Sequence, residues 1–177
     1  MFLQLTDFQA RPYRIPNQQE SPDLEQFIEK AEEDLLICLL GYELYAEFVA
    51  NVDTSSPESR WVDLRDGADY LYAGHTYRYS GIVELLKPAV YSKWMDVGAY
   101  KFTNVGYVQN NAPKESATLD QSGFRVEAWN RYVKLAYDRG SRKNTWYGFM
   151  KANETSYQGW QFSACSECAQ YQNRFDL

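Results

Sequence analysis

The chain has 177 residues, 45% of them hydrophobic and 24% charged, with a formal net charge of −6. Length and composition suit one globular domain with a sizeable core. The acidic balance argues against nonspecific nucleic-acid binding, which needs lysine and arginine against phosphate. The lack of a run of about 18 apolar residues predicts no transmembrane helix.

Residues 1–20 read as an N-terminal arm. The opening Met1-Phe2-Leu3-Gln4-Leu5-Thr6-Asp7 lacks the basic and apolar regions of a signal peptide. Phe2, Leu3, Leu5, Phe8, Tyr13 and Ile15 make the arm too apolar to stay in water. It docks either on its own domain or on a neighbouring subunit.

The domain proper is expected over 21–152. Ser21 can cap a first helix, and Pro22 suits its first turn, where a missing N–H is harmless. Leu24, Phe27, Ile28, Ala31, Leu35, Cys38 and Leu39 repeat with the period of one buried helix face, and Gly41 marks the stop. A short second helix turns Leu44, Tyr45, Phe48, Val49 and Val52 inward. Residues 53–60 are a polar loop. Tyrosines at 70, 72, 77 and 79 flank Ala73-Gly74-His75, a hairpin pattern, with a turn joining helices as the rival.

A third helix spans 82–97, with Pro88 inside it and a kink expected there. Residues 98–118 form a long projecting loop, a length that marks functional segments. A fourth helix is expected over 119–152, broken or bent near Gly140-Ser141, with Trp146, Phe149 and Met150 restarting its apolar stripe. Residues 155–177 form a C-terminal segment without a clear period, whose Tyr157, Trp160, Phe162, Tyr171 and Phe175 must be buried somewhere. The fold class is therefore mainly α: a small bundle of about four helices with a short β-hairpin and a long projecting loop.

Residues suited to chemistry are sparse. The one histidine, His75, lies in a turn, with Asp66 and Asp69 close in sequence as carboxylates that could orient it as a base. Asp63, Asp66 and Asp69 do not match a calcium loop. Cys165-Ser166-Glu167-Cys168 is a C-x-x-C, yet a zinc site wants four ligands, and only Cys38 and His75 remain to supply them. Three cysteines are an odd count that suggests no disulfide framework, and a reducing cytoplasm is expected. Glu32, Glu33 and Asp34 read as a solvated helix edge; Arg139, Arg142 and Lys143 read as a cationic helix end. No catalytic residue, metal site or cofactor is expected, and the chain reads as a non-enzyme.

The aromatic content points elsewhere. Fifteen tyrosines and five tryptophans exceed what a core of this size needs, and several fall in turns and near the C-terminus. Such rings supply contact area with a polar tip and are enriched at interfaces. The residues expected to make contacts are Phe8, Tyr13, Tyr100, Phe102, Tyr107, Val108, Trp160 and Phe162.

Across about residues 20–150 the chain resembles a known family. Phe27-Ile28-Glu29-Lys30-Ala31-Glu32-Glu33-Asp34-Leu35 leads into Leu39-Leu40-Gly41-Tyr42-Glu43-Leu44-Tyr45-Ala46-Glu47-Phe48. Arg60-Trp61-Val62-Asp63-Leu64, Gly67, Tyr79-Ser80-Gly81-Ile82 and Tyr91-Ser92-Lys93-Trp94 follow. This order is similar to the head–tail connector (head completion, adaptor) proteins of tailed phages. Residues 155–177 and the C-x-x-C lie outside the resemblance.

The resemblance implies a structural virion protein, made in the host cytoplasm. It would form a homo-oligomeric ring, typically of twelve copies, below the portal. Its partners would be itself, the portal protein and tail or further ring proteins, with packaged DNA passing nearby and no membrane. The alternative from the residues is a small-ligand-binding or regulatory module with an aromatic-lined pocket. Weaker rivals are an enzyme built on His75 and a zinc adaptor built on Cys165 and Cys168.

Overall fold

The apolar spacing after Pro22 builds one long helix, α1 (Pro22–Leu40), and Gly41 ends it. Gly41 has φ +79° and ψ 156°, a backbone region that only glycine enters without strain. The chain therefore turns sharply, and α2 (Tyr42–Val52) leaves at 119° to α1. The computed structural model describes residues 2–15, 22–98, 100–103, 106–109, 121–137 and 143–160.

A third helix, α3 (Ser59–Asp66), follows where no helix is expected from the sequence. Only Trp61 and Leu64 turn inward from its eight residues, too few to show a period. Then β1 (Asp69–Tyr72) and β2 (His75–Arg78) pair as the expected antiparallel hairpin, with Tyr70 opposite Tyr77 and Tyr72 opposite His75. Its two-residue turn, Ala73-Gly74, holds both residues at positive φ, the geometry that matches strand twist.

The hairpin follows α3 and leads into α4 (Ile82–Gly98), which lies against α3 and runs through Pro88. Trp61, Leu64 and Tyr79 are buried here, and the Tyr79 hydroxyl donates to the Leu64 carbonyl at 3.2 Å. Leu64, Gly67, Tyr79 and Gly81 thus form one packed unit.

α4 is the central helix. Ile82, Leu85, Leu86, Ala89 and Val90 are buried, and it lies against α1, α3 and α5 (Gln121–Ala136). Ser92 Oγ donates to the Arg125 carbonyl at 3.0 Å, and Arg125 pairs with Asp96, so polar links also join α4 to α5. α6 (Trp146–Ala152) is separate from α5, so of the two outcomes expected within 119–152 the helix is broken rather than bent. Thr145 starts the second one: its hydroxyl accepts from the Gly148 N–H at 3.1 Å.

The described residues therefore form a mainly α fold with a β-hairpin, built from six helices rather than four. A second hairpin, β3 (Tyr100–Thr103) with β4 (Gly106–Gln109), occupies the first half of the expected loop at 98–118. Residues 110–118 lie outside the described residues. No single described helix is long and apolar enough to cross a membrane.

The arm docks on its own domain. Leu3, Phe8 and Ile15 are buried in the common core. Glu32 holds the start of the arm: its carboxylate accepts from the Phe2 N–H at 2.9 and 3.0 Å and from the Leu3 N–H at 2.8 Å. Glu32 is only 4% exposed, which corrects its expected place on a solvated edge. Burial raises its pKa above the usual carboxylate value, against the opposing pull of the two N–H bonds.

Candidate interaction surfaces

The eight residues expected to make contacts separate once the chain folds. Phe8 and Trp160 are core residues, 1% and 7% exposed. This corrects their assignment as contact residues. Trp160 stands edge-on to Trp146, with centroids 5.3 Å apart, and its indole N–H donates to the Leu39 carbonyl at 3.2 Å. Tyr13 is half-buried against Tyr91, ring to ring at 5.6 Å, and burial pushes its phenol pKa up. These rings close the domain on itself.

Tyr100, Phe102, Tyr107 and Val108 fall on the second hairpin, where Phe102 is in register with Tyr107 and Lys101 with Val108. The four are brought onto one two-stranded unit directly after α4. Phe162, Cys165 and Cys168 lie outside the described residues.

Two exposed apolar surfaces emerge that periodicity does not reveal. On α2, Leu44, Phe48 and Val52 are buried, while Tyr42 is 71% and Val49 45% exposed. Tyr45 is only half-buried, so it and Val49 do not form the expected inward side. Tyr42, Tyr45 and Val49 fall on one helix face, spaced by one and two turns. Sequence reading fails here because Val49 is apolar and follows Phe48, so a wide inward face fits the pattern equally well.

The second surface is the outer side of the first hairpin. Tyr70 points inward against Phe149, at 5.7 Å, and against Tyr77, at 6.0 Å. Strand alternation then puts Leu71 outward, 68% exposed, while Tyr72, on the face of Tyr70, is 43% exposed at the turn end of the hairpin. The signal available in the sequence is the alternation itself, once Tyr70 is known to face in.

The expected chemical rivals fare differently. His75 is exposed on β2 and lies 6.4 Å, centroid to centroid, from Tyr77. The carboxylates that might have oriented it are engaged elsewhere. Asp66 accepts from Arg65 twice at 2.8 Å, which lowers its pKa, and Asp69 accepts from Arg78 at 3.2 Å. Among the described residues no three His, Cys, Asp or Glu side chains converge as metal ligands would. Lys143 stands over the Tyr77 ring at 5.4 Å, while Arg139 and Arg142 lie outside the described residues.

Cys38 departs from expectation: it is disulfide-bonded. An odd cysteine count cannot reveal a bond that depends on tertiary approach.

A groove of about 370 Å³ runs between α1 and α4, lined by Phe27, Lys30, Ala31, Asp34, Lys93 and Asp96. Burial pushes the Lys93 amine pKa down, and the nearby Asp34 carboxylate opposes this. Among the described residues its lining holds one aromatic ring, Phe27. The chain matches no protein-family model, no curated protein and no solved structure.

Proposed function

We propose that the chain is a structural virion subunit, a head–tail connector that assembles into a ring below the portal and links capsid to tail. The exposed apolar surface on α2 and the first hairpin carries this reading on the structural side. Tyr42, Val49, Leu71 and Tyr72 leave large apolar groups in water on a domain that has already buried its arm and Trp160. The resemblance across residues 20–150 supplies the family. The acidic body supports the same reading, because negative channel walls resist adhesion of DNA in transit.

The test is the mass of the purified chain, alone and mixed with the portal protein from the same genome. Ring-sized mass that forms with the portal is the expected result. A monomer that ignores the portal would remove the proposal. Reversing the charge of acidic residues should impair DNA packaging or ejection; unchanged packaging and ejection would sink the conduit role.

The groove between α1 and α4 favours a second reading, a small-ligand module. Paired lysines and aspartates beside an apolar floor suit a small zwitterion. Thermal stabilisation by such a metabolite, lost in Lys93→Ala, would favour this reading over the connector.

A further inference from the structure

The outer face of α2 carries an apolar stripe with carboxylates along both edges. Tyr42, Tyr45 and Val49 form the stripe, and helix spacing adds Ala46, which is also exposed. Glu29 and Glu33 of α1, one turn apart and exposed, stand at the Tyr45 edge. Burial raises the pKa of the Tyr45 phenol, and the negative charges of Glu33, Glu32 and Glu29 raise it further, which places these carboxylates near the ring. Glu43 and Glu47 of α2, again one turn apart and exposed, border the stripe on the side away from Tyr45. No cation answers these charges from the same stretch of chain: residues 31–59 hold seven carboxylates and no lysine or arginine. Of the seven, Asp53 and Glu58 pair with Arg65 and Arg60 of α3, and Glu32 holds the arm. Glu29, Glu33, Glu43 and Glu47 take part in no ion pair among the described residues. Lys30 lines the groove against α4.

We infer that this face docks a basic segment of a partner protein. An apolar anchor of that segment lies on Tyr42, Tyr45 and Val49, and its lysines or arginines reach the carboxylates on the two edges. Charge complementarity selects this occupant. An uncharged apolar segment would leave the four carboxylates desolvated without partners. A basic segment without an anchor would leave the two tyrosines and the valine in water. A second copy of this face would bring like charges together, which is costly at a contact. The carboxylates also draw a cationic segment in from solution and so speed the encounter. The inference rests on α2 being a contact surface, as the connector reading does, and adds what that surface selects.

The probe is a fluorescent synthetic helical peptide of leucine and lysine, with the leucines on one face, titrated with the full chain and read by anisotropy. Two counterparts replace every leucine by serine, or every lysine by glutamate. The leucine–lysine peptide should bind, the serine–lysine peptide should bind about tenfold more weakly or worse, and the leucine–glutamate peptide should not bind. Tyr42→Ser/Val49→Ser should weaken binding of the leucine–lysine peptide by about tenfold. Glu33→Lys/Glu47→Lys should abolish it and confer binding of the leucine–glutamate peptide. All four side chains are exposed, so thermal melts of both variants should match the parent chain, which separates lost docking from lost folding. A leucine–lysine peptide that does not bind, or binding that survives both double substitutions, would overturn the inference. So would a change in the mass of the chain alone in Tyr42→Ser/Val49→Ser, which would assign the face to a second copy. No portal protein enters this experiment, so its failure and the failure of ring assembly are read separately.

Discussion

Gly67 and Gly81 meet backbone to backbone where the chain enters and leaves the first hairpin. A Cβ on Gly67 would lie 2.3 Å from the Tyr79 carbonyl oxygen and 2.7 Å from the Gly81 nitrogen. A Cβ on Gly81 would lie 2.6 Å from the Arg65 oxygen and 2.8 Å from the Gly67 nitrogen. Both residues also hold positive φ, +92° and +91°. Each substitution to alanine therefore combines strain with a clash against backbone, and should destabilise by about 3 kcal/mol or more. Because both act at one contact, Gly67→Ala/Gly81→Ala should cost less than the sum of the single changes. Urea denaturation of the three variants checks this; full additivity would mean that the two positions are independent.

Gly41 is a different case. Nothing lies within 4 Å of its absent Cβ, so only its backbone angle matters. Gly41→Ala should destabilise by about 1–3 kcal/mol from strain alone. A neutral result in the same denaturation assay would show that α2 can leave α1 by another turn.

Ala73 offers the reverse change. It holds φ +49° in the first hairpin turn, which asparagine tolerates better than alanine. Ala73→Asn should stabilise by about 0.5–1 kcal/mol. That is a rise in Tm of about 1–4 °C for a chain of this size, measured by calorimetry. A fall would show that the strand register depends on Ala73 itself.

Glu32 makes stability depend on pH through the arm. Burial raises its folded pKa above the ordinary 4.5, so the native state binds this proton more tightly than the unfolded chain does. The contribution of this group is full at low pH and is lost as pH rises from 4.5 through the raised value. Glu32→Gln should remove this segment of the pH profile. Glu32→Ala leaves the Phe2 and Leu3 N–H groups without their acceptor and should cost about 2–3 kcal/mol. Denaturation midpoints across the acid range distinguish the two; a profile unchanged in Glu32→Gln would contradict the assignment.

The exposed surfaces predict a separation of folding from assembly. Tyr42→Glu and Leu71→Glu change side chains already in water, so stability should stay within about 0.5 kcal/mol. Association with the portal should be lost, because a charge carried into an apolar contact is desolvated without a partner. Sedimentation with and without portal reads both effects. Normal assembly of both variants would place the contact elsewhere on the subunit.

The sequence by itself determined the local elements of this protein. The period of residues 24–39, the break at Gly41, the tyrosine alternation around Ala73-Gly74 and the apolar face of α4 all follow from rules acting over a few residues. Such rules are weak for α3, with two inward residues; its presence, with the expected break dividing α5 from α6, turns four expected helices into six. Only the tertiary structure decided what each element meets. Glu32 is buried because the arm brings Phe2 and Leu3 to it, across about thirty residues of chain. Trp160 belongs to the core because the carbonyl of Leu39, far away in sequence, accepts its N–H. The candidate surface was legible only in part: aromatic excess signals contact, but which rings stay outside depends on which partners the folded chain supplies. Val49 and Tyr42 remain exposed because Leu44, Phe48 and Val52 already fill the face that α2 turns to the core.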